Sequence, residues 1–418
     1  MTENNNEKAA AAPGQGSQAK ETAASEQKRE TFWNRNFIIC VIASTCASFA
    51  QNMLNPALPV YGRSIGIETA AIGTISAAAT FICMFGRWGT GKLSDFVSKK
   101  KIMYTGLVIA LIGDSMMLFA GSLPVFATAR ILQTVGNGIK ITVASALIVS
   151  VVPYSHMSSG IAMSSLLTSL ATCFAPNIGT NMAYAGLFKP LFLIGLIFPF
   201  FAGIALYFVK EPSAPRRLDA EGRKELFDVK NILCGPAVPG AMFLFFAGIT
   251  HTAVSGYLSL YGLERELPQI GLFFTVNAIA MMVTRPVIGK LCDTKPLGLI
   301  IIPGHLLEAA AALLLAFTAN MPAVCIAGAL YGIGFGSVNT GGHLMALRAV
   351  GNRRRGEANG TFYVLGDVGL TIGNYLGGVI MGRFGGTVLY VYMTVVALLA
   401  NGFFIVYSVM ARKRQPAE

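Results

Sequence analysis

The sequence predicts an all-α polytopic membrane protein with twelve transmembrane helices in two six-helix repeat halves. Three observations carry this prediction: long apolar runs recur along the chain, charged residues are scarce, and one motif occurs in both halves. Of the 418 residues, 54% are hydrophobic and 12% are charged, and the mean hydropathy is +0.59. A soluble domain carries about 25% charged residues, so this chain is expected to lie in a bilayer.

The apolar runs set the number of spans. A run of about 18 or more apolar residues is long enough to cross a bilayer as a helix. Glycine and proline inside such runs are ordinary in membrane helices. The predicted spans, numbered 1 to 12 throughout, are 37–61, 70–91, 101–121, 124–152, 159–183, 190–209, 236–261, 269–289, 298–319, 322–347, 358–381 and 387–410.

The remaining segments divide the chain into tails and halves. Residues 1–32 are polar without an apolar face, which predicts a disordered cytoplasmic tail rather than a signal peptide, and residues 412–418 form a second tail. We expect a six-helix bundle over 33–209, a cytoplasmic linker over 210–232 and a second six-helix bundle over 233–411. The seven cysteines show neither metal-ligand spacing nor a disulfide pattern, so buried thiols are expected.

Basic residues are distributed unevenly over the predicted loops. If the N-terminus is cytoplasmic, basic clusters fill the cytoplasmic segments, and the opposite loops hold Arg63, Lys189, Arg265 and Arg383. This asymmetry predicts both termini in the cytoplasm, with the protein in the plasma (inner) membrane. The net charge of +12 then belongs to loops beside anionic lipid heads, so no nucleic-acid partner is expected.

One motif occurs twice. The stretch GRWGTGKLSDFVSKKK begins at Gly86 and RPVIGKLCDTKP begins at Arg285; both contain Arg, three residues, Gly-Lys-Leu, one residue and Asp. The copies are 198 residues apart, and matches at the same offset continue into the following spans, as for Gly136 and Gly334. This regularity predicts two halves related by a parallel repeat.

The repeated motif contains residues suited to a conformational gate. Asp95 and Asp293 are predicted at helix ends, where a carboxylate can accept hydrogen bonds from free N–H groups of a facing helix. We expect each to bind the opposite half and to release it when the protein opens toward the cytoplasm. The alternative is that the motif only anchors the loops at the membrane surface. The other predicted gate residues are Arg87, Gly91, Arg285 and Gly289.

Two glycine-rich stretches look like nucleotide-binding loops, but their context argues against that role. GRWGTGKL has Leu93 where a phosphate loop needs Ser or Thr, and it ends an apolar span. GIGFGSVNTGGH, from Gly332, lies inside a predicted span, where small residues favour close helix packing. The sequence shows no nucleophile–base pair and no metal cluster, so we expect neither an enzyme nor a cofactor.

Three motifs resemble those of the major facilitator superfamily. GKLSDFVSKKK, from Gly91, is similar to the family loop G-x-L-x-D-R-x-G-R-K, with one Arg and one Gly replaced. RILQTVGNG, from Arg130, is similar to R-x-x-Q-G-x-G, and APNIGT, from Ala175, is similar to the antiporter motif G-P-x-x-G-G with two glycines replaced. The resemblance covers residues 33–411 and is strongest to proton-coupled drug and metabolite exporters.

This resemblance implies two halves that rock about a cavity lined by spans 1, 4, 7 and 10. The polar residues expected to contact substrate there are Gln51, Asn52, Asn55, Arg130, Lys140, His251, Asn339 and His343. Arg130 and Lys140 have uncharged repeat partners, so the internal symmetry does not require them. Charge inside a span is costly and usually functional, so these two are expected to form a basic wall. The alternative for each cation or histidine is a packing contact.

Three carboxylates are predicted inside spans. Asp367 lies in the glycine-rich stretch GDVGLTIGNYLGG of span 11, which suits a moving helix, and it is the first candidate for proton coupling. Glu308 and Asp114 lie on spans that the resemblance makes peripheral, and they are further proton-coupling candidates or packing partners.

The resemblance implies a secondary active transporter, most simply a monomeric proton-coupled exporter of a small organic solute that is drug-like, anionic or zwitterionic. Its expected partners are that solute, protons and the lipid bilayer. The alternatives are a uniporter or importer of a neutral solute such as a sugar, and a non-transporting membrane receptor or scaffold.

Overall fold

The structure is a computed structural model. It describes residues 33–94, 96–152, 157–211, 233–350 and 354–414, which contain helices and no strands. The predicted tail over 1–32 and nearly all of the predicted linker lie outside the described residues, and so does Asp95.

The helices of the first half match the predicted spans closely. Span 1 consists of two helices, Arg35–Leu54 and Leu58–Ser64, in succession. Spans 2 to 6 are Thr69–Leu93, Lys99–Met117, Leu123–Val151, Met157–Tyr184 and Phe188–Tyr207.

The second half repeats this arrangement. Spans 7 to 10 are Val238–Glu264, Leu272–Thr294, Gly298–Phe317 and Met321–Arg348. Spans 11 and 12 lie in Arg355–Arg414, whose backbone leaves the helical conformation at Gly385, with φ 79° and ψ 174°. A positive φ suits glycine, because it has no Cβ. The break lies between the two runs that the sequence separates, so the prediction of twelve spans is confirmed.

Most of these helices can cross a membrane. In the described part of the chain, nine helices are long and apolar enough to do so, and the last of them, Glu357–Met410, holds spans 11 and 12 together. Spans 3 and 5 complete the twelve-helix bundle.

The bundle has two opposite sides. Span 1 begins beside the ends of spans 4 and 6, since Asn34 Nδ2 donates to the Val151 carbonyl at 2.8 Å and Asn36 Nδ2 to the Lys210 carbonyl at 3.3 Å. We call this side the terminal face and the opposite side the far face. Glu211, at the end of span 6, accepts the Lys99 N–H at 2.8 Å and so stabilises the start of span 3 on the same face.

The halves are in close contact toward the far face. Span 2 packs against span 11, and span 5 against span 8. A Cβ added to Gly73 would lie 2.6 Å from the Gly378 Cα, so only glycine permits this approach. The Tyr184 hydroxyl donates to the Ser259 carbonyl at 2.5 Å, and the Thr180 and Ser259 hydroxyls lie 3.1 Å apart. These contacts close the far face.

The hydrophobic core shows the same asymmetry. Toward the far face one apolar cluster contains residues of both halves, such as Leu58 and Ile72 with Leu258 and Ile270. Toward the terminal face each half has its own clusters, and the cluster around Phe37 contains only first-half residues. The two halves therefore share a core on the far side and diverge toward the terminal face.

Candidate substrate cavity between the two halves

Two adjoining cavities lie between the halves. The central cavity, of about 460 Å³, is lined from the first half by Asn52, Asn55 and Arg130 and from the second by His251 and Asp367. Because spans 1, 2, 4, 5, 7, 8 and 11 all contribute lining residues, any change in the angle between the halves alters its shape.

The terminal cavity, of about 650 Å³, lies nearer the terminal face. Lys140 lines it from the first half, and Arg285 and Asn359 line it from the second. Spans 1, 4 and 5 add a wall of hydroxyl groups from Ser44, Ser48, Ser145, Ser164, Ser165, Thr168 and Ser169. Gln51 and Ile141 line both cavities, so the two are parts of one route.

An ion pair joins the halves in the wall of the central cavity. Arg87 Nη1 of span 2 lies 2.9 Å from Asp367 Oδ1 and 3.3 Å from Oδ2. The Asp367 side chain is 9% exposed and that of Arg87 is 30% exposed. Charges this poorly hydrated are stable only when paired. The predicted proton site and one predicted gate residue therefore form a single contact.

A glycine of span 4 makes room for this pair. A Cβ added to Gly138 would lie 2.2 Å from Cys83 Sγ and 3.3 Å from Arg87 Nε. Real Cβ atoms do not approach a neighbour as closely as 2.2 Å, so a larger residue would displace the Cys83 thiol and press against Arg87. The last glycine of RILQTVGNG thus leaves room for Cys83 and Arg87.

Arg130 belongs to a hydrogen-bond chain that runs from the cavity into the first half. Its Nη1 donates to Asn55 Oδ1 at 3.2 Å and to Gln133 Oε1 at 2.8 Å. Gln133 Nε2 in turn donates to Asp114 Oδ1 at 2.6 Å, and both of those side chains are buried. Asp114 is therefore connected to the cavity, although its span is peripheral. Arg130 itself is bonded to neutral oxygens, which leaves its charge available to a solute.

Lys140 is buried beside the terminal cavity, with 3% of its surface exposed. Asp114 attracts it electrostatically, but among the described residues no carboxylate forms a salt bridge with it. Arg130 and Lys140 therefore line adjoining cavities, and the basic wall stays a prediction.

His251 lines the central cavity on the side of the second half. Its Nδ1 lies 3.2 Å from the Tyr331 hydroxyl, and its ring stacks on Phe335 at 4.9 Å between centroids. Behind these residues, His305 Nδ1 and Glu308 Oε2 lie 3.1 Å apart in span 9, and both side chains are completely buried. Glu308 therefore does not line either cavity.

Two predicted substrate contacts of span 10 lie elsewhere. Neither cavity includes Asn339 or His343 among its lining residues. His343 Nε2 lies 2.7 Å from Asn359 Oδ1, and its ring stacks on Phe362 at 4.6 Å. Because Asn359 lines the terminal cavity, His343 supports a cavity residue from behind.

The predicted gate residues Asp293, Gly91 and Gly289 do not contact the opposite half in the described part of the chain. Asp293 lies 3.6 Å from Arg348 of its own half, and its side chain is 75% exposed. A Cβ on Gly91 would meet only a Thr142 methyl at 4.0 Å, and one on Gly289 would meet nothing within 4 Å. The two halves are therefore apart at the terminal face. Binding of Asp293 to the opposite half stays a prediction for the conformation in which that face is closed.

Comparison with known proteins assigns the family. The family model described as Major Facilitator Superfamily matches residues 40–307 and 266–418. The chain belongs to the Major Facilitator Superfamily. The family resemblance expected from the motifs is thereby confirmed.

Named relatives of the superfamily are distant in sequence. The chain is 27% identical to the uncharacterized MFS-type transporter YfiU of Bacillus subtilis, over 38% of this chain and 34% of that protein. It is 24% identical to the staphylopine export protein of Staphylococcus aureus, over 56% of this chain and 60% of that protein. The matched parts thus cover less than two thirds of either relative.

Solved structures of transporters share the fold. A crystal structure of a POT family transporter in complex with 5-aminolevulinic acid aligns with 91% of this chain and 98% of its own, with a TM-score of 0.75 and 15% identity. At that identity the likeness supports the twelve-helix superfamily fold alone.

Sequence reasoning missed Gln133, which connects Arg130 to the buried Asp114, and Tyr331, which bonds the cavity residue His251. Gln133 stands three residues after Arg130, a spacing that brings two side chains to the same face of a helix. That spacing was the available signal. Tyr331 gave none, because an aromatic residue in an apolar span has no distinguishing pattern.

Proposed function

We propose that this superfamily member exchanges protons for small organic solutes that carry a carboxylate or similar anionic group, and that it exports them. The observation that carries the proposal is Arg130, a cation in the central cavity whose direct hydrogen bonds go to the neutral oxygens of Asn55 and Gln133. A guanidinium held in this way presents its remaining N–H groups to an anion.

The terminal cavity supports the same class of solute. Lys140 and Arg285 face it from opposite halves. An anion between them would draw the halves together at the terminal face, which is the movement that alternating access requires. The positive-inside asymmetry supports assigning the terminal face to the cytoplasm.

Proton coupling is proposed for Asp367. Its carboxylate is paired across the halves with Arg87, so neutralising it removes the charge that holds the two side chains together. Protonation would thus loosen one half from the other. Export as the direction is supported by the staphylopine export protein among the relatives.

A second candidate function is uptake of a neutral hydroxylated solute by uniport. It is favoured by the hydroxyl-rich wall of the terminal cavity, where Ser145 and Thr168 lie on the same side as Lys140. Hydroxyl groups hydrogen-bond neutral and anionic oxygens alike, so the lining suits both classes.

Reconstituted protein separates the two candidates. Acid-inside proteoliposomes would be incubated with a panel of small carboxylates, zwitterions and sugars, with mass-spectrometric detection of what enters. We expect uptake of anionic solutes that stops when the pH gradient is collapsed. Gradient-independent uptake of sugars alone would contradict the proposal and favour the second candidate.

Variants locate the anion contact. Arg130→Gln is expected to raise the half-saturation concentration for carboxylates about ten- to a hundredfold, which corresponds to one charge-assisted hydrogen bond. Arg383→Gln, which removes an exposed arginine outside both cavities, is the matched control. Equal effects of the two variants would contradict the role of Arg130.

A further inference from the structure

Span 9 carries a histidine and a carboxylate that the proposed exchange does not use. His305 and Glu308 are both 0% exposed, and the bond between Nδ1 and Oε2 leaves His305 Nε2 and Glu308 Oε1 without hydrogen-bond partners in the described part of the chain. An unpartnered buried polar atom costs about 1–3 kcal/mol. Ionisable residues inside membrane spans usually mark ion or proton pathways.

The described residues near this pair that can ionise are tyrosines. Tyr331 of span 10 interacts electrostatically with Glu308 and with Tyr390 of span 12. From span 7, the Phe243 ring lies 6.1 Å from the His305 ring. Among the described residues, no lysine or arginine forms a salt bridge with Glu308. The charge of the pair therefore changes when one of its two members gains or loses a proton.

Span 10 contacts both the pair and a residue that lines the central cavity. Gly334 of span 10 leaves room for Glu308, since a Cβ added to Gly334 would lie 3.1 Å from Glu308 Cγ. One turn earlier, Tyr331 shares a hydrogen bond of 3.2 Å with His251, which lines the cavity. Tyr331 thus contacts a cavity histidine and lies in the field of the buried carboxylate.

The pair is placed so that a bound proton would move together with the second half. Glu308 lies ten residues into span 9, about 15 Å along the helix, which is near the middle of a hydrocarbon core of about 30 Å. Both members belong to the second half, so rocking leaves their contact intact. The Arg87–Asp367 pair, in contrast, has one member in each half.

We propose that the His305–Glu308 pair is a second proton-binding site, reached from the central cavity through His251 and Tyr331. The pair takes one proton from cavity water and returns one proton to water after the halves have moved. This inference rests on the proposed proton exchange, and it raises the number of protons exchanged for each solute by one.

The test is the accumulation ratio at steady state. Acid-inside proteoliposomes with a pH difference of about one unit and the membrane potential clamped at zero would be loaded with the carboxylate that the solute panel identifies. Losing one exchanged proton lowers the maximal ratio about tenfold at this gradient. Glu308→Gln is expected to show that loss, while carboxylate–carboxylate exchange without a gradient stays as in the wild type.

The outcomes separate this inference from the proposed function. If the wild type accumulates the carboxylate and Glu308→Gln reaches the same ratio, the second site is overturned and proton exchange stands. If the wild type ignores the gradient, both are overturned. Glu68→Gln, which changes an exposed carboxylate outside both cavities, is the matched control and should keep the wild-type ratio.

A second variant tests the inference if the Glu308→Gln protein does not fold. Tyr331→Phe keeps the ring that packs on Phe335 and removes the hydroxyl that bonds His251. It is expected to slow the approach to steady state at least about fivefold while the final ratio stays unchanged, because access is impaired and the site is not. A wild-type rate for this variant would overturn the route.

Discussion

Arg87 of span 2 and Asp367 of span 11 form an ion pair across the two halves, with Arg87 Nη1 2.9 Å from Asp367 Oδ1. The pair lies in the wall of the central cavity, between a far face that is closed and a terminal face that is parted. Any rocking of the halves must therefore change or break it. The contact connects the charge of one carboxylate with the conformation of the transporter.

The first prediction concerns the stability of this conformation. Arg87→Gln leaves the poorly exposed Asp367 carboxylate without its partner and is expected to cost about 3 kcal/mol in the free energy of unfolding. Thermal unfolding in detergent should show a lower midpoint for the single variant. The double variant Arg87→Gln with Asp367→Asn should recover most of the loss, and additive losses would contradict the pairing.

The second prediction concerns the glycine that leaves room for Arg87. Gly138→Ala places a methyl group 2.2 Å from Cys83 Sγ, so the side chains beside it must shift. Transport is expected to fall at least about tenfold, because the shifted Cys83 disturbs the neighbouring Arg87 and overpacking costs about 1–3 kcal/mol. Adding Cys83→Ala removes the clashing atom and should restore part of the rate. No recovery in the double variant would contradict this explanation.

The third prediction concerns closure of the far face. Gly73→Leu inserts a side chain where the Gly378 backbone lies within 2.6 Å of an added Cβ, so the halves can no longer meet there. The variant is expected to fold, to remain open at the far face and to lose transport. Gly89→Leu on the same span, where an added Cβ meets nothing within 4 Å, is the matched control. Loss of transport in both variants would argue against a specific contact.

The fourth prediction concerns the chain from Arg130 to Asp114. Gln133→Leu removes the hydrogen bond to a buried carboxylate and is expected to cost about 1–3 kcal/mol of stability. The same change removes one of the two acceptors that position Arg130, so the half-saturation concentration for carboxylates should also rise. Thr128→Val on the same span, which loses only a bond to its own helix backbone at an exposed position outside both cavities, should change neither quantity.

Much of the fold could be predicted from the sequence, because membrane spans are encoded locally. A run of apolar residues must form a helix to satisfy its backbone in lipid, so the span limits followed from hydropathy, including the break at Gly385. The cavity positions of Arg130 and Lys140 agree with the resemblance to the superfamily, which implied that span 4 lines the cavity. The cost of placing charge in a span marked the two residues only as functional.

The pairing of Arg87 could not be predicted, since it depends on how the two halves are placed against each other. The motif suggested a network with Asp95, and the partner found, Asp367, is distant in sequence. His343 illustrates a similar limit. The span number suggested the cavity, but the rotation of span 10 turns this side chain toward Phe362 and Asn359.

Far-face separation as a function of pH tests the central claim, that the charge of Asp367 controls contact between the halves. Spin labels would be attached through Phe119→Cys and Phe317→Cys, at exposed positions on the far sides of the two halves, after replacement of the seven native cysteines. Their distance would be measured by double electron–electron resonance in proteoliposomes. Lowering the pH from about 8 to about 4, the ordinary range of carboxyl pKa values, should protonate carboxylates and increase the long-distance population, and Asp367→Asn should show that population already at the higher pH. Identical distance distributions for the wild type and Asp367→Asn at every pH would contradict the account.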